Sequence, residues 1–181
     1  MKRVVIAGLG DTGLLVAMGV ANAAEVVGIT PKPALVSGQE LGMRVARPDV
    51  WRAHYLVDFR RYRALRGVQV RHGLVQQLDL SQNAVTVRAA DGAIETITWD
   101  ALVLAPGVTN GFWRTPTLET REAVDTGIDT LASELASAKS IAVIGGGATG
   151  VSAASNLKEA HGATRVVLAF SQDEQLPGYH P

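Results

Sequence analysis

Two sets of glycines with the same spacing are the residues of this sequence whose pattern most directly indicates chemistry. They are Gly8-Leu9-Gly10-Asp11-Thr12-Gly13 and Gly145-Gly146-Gly147-Ala148-Thr149-Gly150. In such a pattern the first glycine permits a tight turn, the second lets a pyrophosphate approach the backbone, and the third allows a helix to pack closely. The phosphates then lie at a helix N-terminus, where backbone N–H groups favour negative charge. The glycines therefore predict two binding sites for dinucleotides.

The repetition extends beyond the glycines. At the offset of 137 residues that separates Gly8 from Gly145, Thr12 aligns with Thr149 and Ala17 with Ala154. One copy alone is also explained by a glycine-rich turn that binds nothing, but two copies in the same context favour two nucleotide-binding units.

Apolar runs and Ala-rich segments indicate the elements that must position these turns. Each turn lies between a continuously apolar run, typical of a buried parallel strand, and a helix that leads into another strand. The predicted elements are strands at 4–7 and 26–30 around a helix at 11–23, and strands at 141–144 and 165–170 around a helix at 149–160.

The middle of the chain follows a different pattern. Short strands are predicted at 68–70, 73–80, 84–88 and 94–98, and Asp91-Gly92 between the last two is a strong hairpin signal. A buried strand at 101–104 and a helix at 118–138 follow, while an arginine-rich segment with helical turns at 41–45 and 48–66 precedes them. We interpret the arginines mainly as a solvated face.

These elements predict an α/β fold with two Rossmann-like dinucleotide-binding units built on parallel sheets. The first unit contains a three-stranded β-meander, and the second is incomplete, with two strands where such a sheet has five or six. The expected domains are a first nucleotide-binding domain at 1–112 with its meander at 73–98, a connecting loop and helix at 113–138, and the first βαβ of a second domain at 139–181. We expect a truncated form of a longer enzyme.

An acidic residue is expected about 20 residues after each glycine set, where it would bind ribose hydroxyls. The corresponding strands end instead in Thr30-Pro31-Lys32 and in Phe170-Ser171. Hydroxyl groups bind a ribose more weakly than a carboxylate does, and the missing charge in the second unit leaves NADPH as well as NADH open.

Composition excludes several classes of protein. The formal net charge of zero argues against a nucleic-acid partner, and the absence of cysteine excludes a disulfide scaffold, a thiolate metal site and a redox-active dithiol. It also fits a cytoplasmic protein. No metal site is expected, since the histidines lack metal-ligand spacing: His54, His72, His161 and His180.

The order of these segments resembles the FAD-dependent pyridine nucleotide oxidoreductases, in particular the apoptosis-inducing-factor-like, ferroptosis-suppressor-type and type II NADH dehydrogenase-like proteins. The likeness covers the N-terminal half of such an enzyme. The segments that carry it are Gln39-Glu40-Leu41-Gly42-Met43-Arg44, Gly73-Leu74-Val75, Ala101-Leu102-Val103-Leu104-Ala105-Pro106-Gly107 and residues 167–181.

The resemblance implies an FAD site and an NAD(P)H site. FAD would be held by Gly8, Gly10, Asp11, Thr12 and Gly13 at its pyrophosphate, by Thr30 and Lys32 near its ribose, and by Arg44, Val75, Ala105 and Gly107. NAD(P)H would be held by Gly145, Gly147, Ala148, Thr149, Gly150 and Ser171. Pro106 stands where the family usually has Thr, and Ser152 where many members have a Glu near the junction of the two cofactors.

The implied activity is electron transfer from NAD(P)H through FAD to a quinone or another small acceptor, with no acid–base residue assigned. Membrane contact is expected only through a missing C-terminal part, at the inner face of the membrane. Two alternatives stay open: a non-catalytic nucleotide-binding or sensing module, and a single-cofactor NAD(P)-dependent dehydrogenase.

Overall fold

A computed structural model describes residues 1–38, 40–108 and 117–176. The start of the connecting segment expected at 113–138 lies outside them. The described residues group into two compact units, one from 1–37 and 57–121 and the other from 38–56 and 122–176. Residues 38–56 thus group with the second unit, although the sequence assigned them to the first domain. The domain boundaries stay a prediction, because compactness does not show which nucleotide a residue serves.

The first unit is built on a six-stranded sheet in the order β7-β6-β5-β2-β1-β8. Its strands are β1 (Arg3–Ala7), β2 (Glu25–Thr30), β5 (Gln69–Asp79), β6 (Ala84–Ala89), β7 (Ile94–Thr98) and β8 (Ala101–Leu104). The pairs β1–β2, β1–β8 and β2–β5 are parallel, whereas β5–β6 and β6–β7 are antiparallel. The sheet therefore combines a parallel nucleotide-binding half with the expected meander.

Apolar side chains cover both faces of this sheet. On one face α1 (Asp11–Val20) contributes Leu14 and Ala17 to a core with Ile6 and Val26. On the other face, Val85 and other side chains of the meander strands pack on Val5, Val27 and Ile29 of the parallel strands. Trp99 joins this second core, as expected of a packing residue. Parallel strands covered on both faces explain why β1 and β2 are continuously apolar.

Two predictions about this sheet are wrong. The runs 68–70 and 73–80 form one strand, β5, because its first half pairs with β2 and its second half with β6, and a bulge between Val75 and Gln77 adjusts the register. The strand at 101–104 is not buried. It is the sheet edge next to β1, and Leu104 is 60% exposed.

The second unit contains a parallel pair of strands, β9 (Ser140–Ile144) and β10 (Arg165–Ala169), connected by α5 (Ala148–Ala160). The other helices of this unit are α2 (Leu41–Ala46), α3 (Pro48–Tyr55) and α4 (Arg121–Ser137). Trp51 of α3 is fully buried, again as a packing residue. The predicted helices are present, with ends that differ by up to a few residues where the sequence pattern is weak.

Short elements complete the chain between the longer ones. They are β3 (Leu35–Val36), β4 (Leu56–Val57) and two 3₁₀ turns at Phe59–Arg61 and Arg63–Leu65. Among the described residues, no helix combines the length and the hydropathy needed to cross a bilayer.

Candidate functional site

The first glycine turn connects the end of β1 to the start of α1, as predicted. Gly8 has φ +107°, a conformation that L side chains rarely adopt, and a Cβ there would overlap the carbonyl oxygen of Ala105. The Gly8 N–H donates to the carbonyl of Ile29 at 2.9 Å. Gly8 is therefore required by the fold, because it lies where the ends of β1, β2 and β8 meet.

The other two glycines of this turn differ in what surrounds them. A Cβ on Gly13 would overlap the carbonyl oxygen of Gly8, so the third glycine lets α1 approach the turn. Among the described residues, a Cβ on Gly10 would meet nothing within 4 Å. The protein itself does not require glycine at position 10, and the open space beside it lies at the helix N-terminus, where the sequence predicts a pyrophosphate.

The N-terminus of α1 is arranged to favour an anion. Gly10 is its N-cap residue, no side chain caps it, and its carbonyl accepts the first helical hydrogen bond, from Leu14 N–H at 2.9 Å. Backbone N–H groups of a first helical turn point along the helix axis toward such a ligand. Thr12 is exposed in this turn. Asp11 accepts a 2.9 Å hydrogen bond from Ser37 Oγ, which ties the turn to the segment after β3.

The second glycine turn repeats the first in three dimensions. Gly145 has φ +120° and its N–H donates to the carbonyl of Ala169 at 2.8 Å, as Gly8 does to Ile29. A Cβ on Gly150 would overlap the carbonyl oxygen of Gly145, and one on Gly147 would meet no atom of the described part of the chain within 4 Å. Gly147 is the N-cap of α5 without a side-chain cap. Ala148 and Thr149 are exposed in the first turn that follows.

The end of β2 is arranged differently from what the sequence predicts for a ribose site at Thr30 and Lys32. Thr30 is only 3% exposed, and its Oγ1 accepts a hydrogen bond from Lys32 N–H at 3.2 Å. Lys32 Nζ forms an ion pair with Glu119. The structure thus places a carboxylate at the end of β2, as the nucleotide-binding pattern requires, but from a distant part of the chain. No local pattern identifies Glu119, because it is 87 residues away from Lys32.

Ala105 and Gly107 lie directly after β8. The Ala105 N–H donates to the carbonyl of Ala7 at 2.9 Å, and Gly107 has φ +73°. The structure therefore brings Ala105 next to Gly8 and Gly13, at the carboxyl edge of the parallel strands where nucleotides bind in such sheets.

The structure shows different surroundings for three other residues that the sequence predicts to bind the cofactors. Val75 pairs with Val87 in the meander and packs in the second core of the first unit. The Arg44 guanidinium lies 4.8 Å from the ring centre of Trp51, a cation–π contact within the second unit. Ser171 is exposed beyond β10. Their binding roles stay predictions.

Ser152, which replaces the glutamate usual in the resembling family, lies at a close helix contact. A Cβ on Gly42 of α2 would lie 2.6 Å from Ser152 Oγ and 2.7 Å from its carbonyl oxygen. The lack of a side chain at Gly42 and the small one at Ser152 allow α2 and α5 to come into contact. The close contact is a physical reason for a small residue at position 152.

The arginine-rich segment is divided among separate ion pairs. Arg52 bonds to Asp49 at 3.0 Å and also to Asp125 and Asp129, which joins α3 to α4. Arg60 binds Asp58 at 2.6 Å, and this hydrogen bond lowers the pKa of Asp58 to about 2. Within the described ranges, no group of three or more acidic, His or Cys side chains has the geometry of a metal site.

A family model for pyridine nucleotide-disulphide oxidoreductases matches residues 2–179. The chain belongs to this family. Pyridine nucleotide-disulphide oxidoreductases bind FAD and NAD(P)H. No sequence among curated proteins matches the chain.

Solved structures of pyridine nucleotide-disulphide oxidoreductases share the fold. The water-forming NADH oxidase from Lactobacillus brevis, bound to NADH, has a TM-score of 0.70 at 18% identity over 99% of this chain and 42% of its own. The NAD-dependent persulfide reductase from A. fulgidus has a TM-score of 0.69 at 21% identity, over 97% and 35%. NDH2 from Plasmodium falciparum, in complex with RYL-552, has a TM-score of 0.69 at 12% identity, over 99% and 43%. The chain spans less than half the length of these proteins, and at such identities the likeness shows the fold alone.

Proposed function

We propose that this chain binds FAD at the first glycine turn and NAD(P)H at the second, and serves an enzyme that oxidises NAD(P)H. The observation that carries the proposal is the contrast within each turn. Gly13 and Gly150 are needed for packing, whereas Gly10 and Gly147 face open space at uncapped helix N-termini. At a helix N-terminus, such a glycine leaves room for a ligand that a side chain would block.

The residues present fit these cofactors. A Cβ at Gly10 or Gly147 would project into the space that a pyrophosphate needs, and the first-turn N–H groups would donate to its oxygens. Thr12 and Thr149 would add hydroxyl donors, and Ala105 would close the first site at the edge of β8. The flavin supplies the redox chemistry when bound, and the chain supplies binding and orientation.

Electron transfer to a quinone or another small acceptor is the finer part of the proposal. Its support is the family, together with a solved neighbour described as a sulfide:quinone oxidoreductase from Aquifex aeolicus, 20% identical with a TM-score of 0.64. The small Ser152 at the helix contact leaves no carboxylate at that position to act beside the cofactors. We propose a cytoplasmic location.

An anaerobic titration tests the proposal. The purified chain is mixed with FAD, freed of unbound flavin, and titrated with NADH and then with NADPH while the blue absorbance band of the flavin is recorded. We expect flavin to be retained and its band to bleach on addition of one or both nucleotides.

Other results would favour a different function. Retained flavin that neither nucleotide bleaches would favour the non-catalytic nucleotide-binding module. Binding of NAD(P)H without any flavin would favour a single-cofactor dehydrogenase. Failure to bind either nucleotide would contradict the proposed function altogether.

A further inference from the structure

The end of β2 lacks its own carboxylate, and the structure shows why Thr30 is a poor substitute. Thr30 is 3% exposed, and its hydroxyl group is engaged with the backbone of Lys32, as acceptor from its N–H at 3.2 Å and as donor to its carbonyl at 3.5 Å. A buried hydroxyl that bonds to its own turn is not presented to a ribose.

Glu119 is fixed at this strand end through its backbone. Its N–H donates to the carbonyl of Pro31 at 2.9 Å, and its carbonyl accepts from His72 Nε2 at 3.0 Å. His72 lies on β5 and pairs in register with Thr30. Glu119 therefore lies across the carboxyl ends of two neighbouring parallel strands, independently of what its side chain does.

The side chain of Glu119 is held by Lys32. The Lys32 ammonium group pairs with the Glu119 carboxylate and also lies 3.4 Å from the carbonyl oxygen of Thr117. The Glu119 side chain keeps 27% of its surface exposed, so a ligand can reach it. An ion pair near a surface contributes little to stability on its own, so stability alone is a weak reason for this arrangement.

The glycine turn is close to the same strand end, because Gly8 N–H bonds to the carbonyl of Ile29 next to Thr30. In dinucleotide-binding sheets this edge receives the ribose of the adenosine half, and a carboxylate there accepts its hydroxyl hydrogens. We infer that Glu119, positioned by Pro31, His72 and Lys32, supplies the carboxylate that binds the adenosine ribose hydroxyls of FAD. This inference rests on the proposed FAD site and names a residue of it.

The test compares two ligands on two proteins. Binding of FAD, and of an FAD analogue whose adenosine ribose lacks both hydroxyls, is measured by quenching of flavin fluorescence for the unaltered chain and for Glu119→Gln. We expect the unaltered chain to bind FAD about tenfold to a hundredfold more tightly than the analogue, as for hydrogen bonds to a charged group. In Glu119→Gln this preference should fall to a few-fold or less.

The matched control is Glu95→Gln, which removes another partly exposed carboxylate of the same unit, paired with Arg71 at 3.3 Å. It should keep the full preference for FAD, and thermal unfolding of each variant shows whether it folds. Equal binding of FAD and the analogue by the unaltered chain would overturn the inference even without a variant. An unchanged preference in a folded Glu119→Gln protein would do the same. If the unaltered chain bound no FAD, the proposed function would fail and this inference with it.

Discussion

The two turns share one glycine spacing, but the physical reason for a glycine differs from one position of the turn to the next. Gly8 and Gly145 adopt positive φ, Gly13 and Gly150 allow a helix to approach a carbonyl group, and Gly10 and Gly147 border open space. Only the last kind is unexplained by the fold, and the proposed ligands explain it. Substitution at single glycines can therefore separate folding from binding.

We predict opposite effects for Gly10→Ala and Gly13→Ala. Gly10 has φ −75° and ψ −168°, which alanine can adopt, so Gly10→Ala should fold with a stability within about 1 kcal/mol of the original and lose most of its FAD affinity. Gly13→Ala should lower the free energy of unfolding by about 1–3 kcal/mol, because its methyl group would overlap the turn. Urea unfolding and flavin-fluorescence titration measure the two quantities.

Gly19→Ala is the control for these variants, since Gly19 lies exposed in α1 and a Cβ there meets none of the residues that the structure describes within 4 Å. It should raise the stability by about 0.5–1 kcal/mol and leave FAD binding unchanged. Normal FAD affinity in Gly10→Ala would contradict a pyrophosphate at this turn.

Because Asp58 pairs with Arg60, we expect the free energy of unfolding to depend on pH in the acidic range. Its hydrogen bonds to Arg60 lower the pKa of Asp58 from 3.8 to about 2 in the folded chain. A lowered pKa stabilises the folded state above the unfolded value, and this contribution is lost as the pH falls from 3.8 toward 2. The stability difference between the original chain and Asp58→Asn should therefore shrink over that interval. A difference that stays constant with pH would exclude the pair as its source.

Helices α2 and α5 meet at small residues, so their contact depends on the absence of side chains. Gly42 lies against the backbone and the hydroxyl of Ser152, whereas a Cβ added to Gly127 of α4 would meet nothing within 4 Å in the described ranges. Replacing glycine by alanine should therefore have opposite effects on stability at Gly42 of α2 and at Gly127 of α4.

At this contact, Gly42→Ala should reduce the free energy of unfolding by about 1–3 kcal/mol, because the added methyl group would meet backbone atoms of α5. Gly127→Ala should increase it by about 0.5–1 kcal/mol, since alanine favours an exposed helical position. Chemical denaturation of both proteins is the measurement. Equal stabilities for the two variants would show that α2 and α5 have room for a methyl group between them.

The two compact units each carry one glycine turn, so we expect the two nucleotides to bind, and to protect from hydrogen exchange, different parts of the chain. FAD should slow amide hydrogen exchange around residues 8–13 and 30–32, and NAD(P)H around residues 145–151, because each ligand would accept hydrogen bonds from its own helix N-terminus. Exchange measured by mass spectrometry with each nucleotide alone tests this division. Protection of the same turn by both ligands would contradict two separate sites.

Local sequence was sufficient for most of the longer strands and helices and for the glycine turns of both units. Apolar runs identified β1, β2, β9 and β10, and Asp91-Gly92 identified the hairpin between β6 and β7. These features depend on neighbours in the chain, since strand periodicity, turn chemistry and helix starts are set within a few residues. The spacing of the glycines also determined which kind of ligand to expect.

Only the tertiary structure decided which distant residues meet at the turns. It joined two predicted strands into β5, placed β8 at an exposed edge, and brought Glu119 to the end of β2. Such contacts depend on strand order and on hydrogen bonds between residues far apart in the chain, and no local pattern encodes them. The sequence alone determined the two glycine turns, and the fold decided that the carboxylate of Glu119 lies at the strand end beside the first turn.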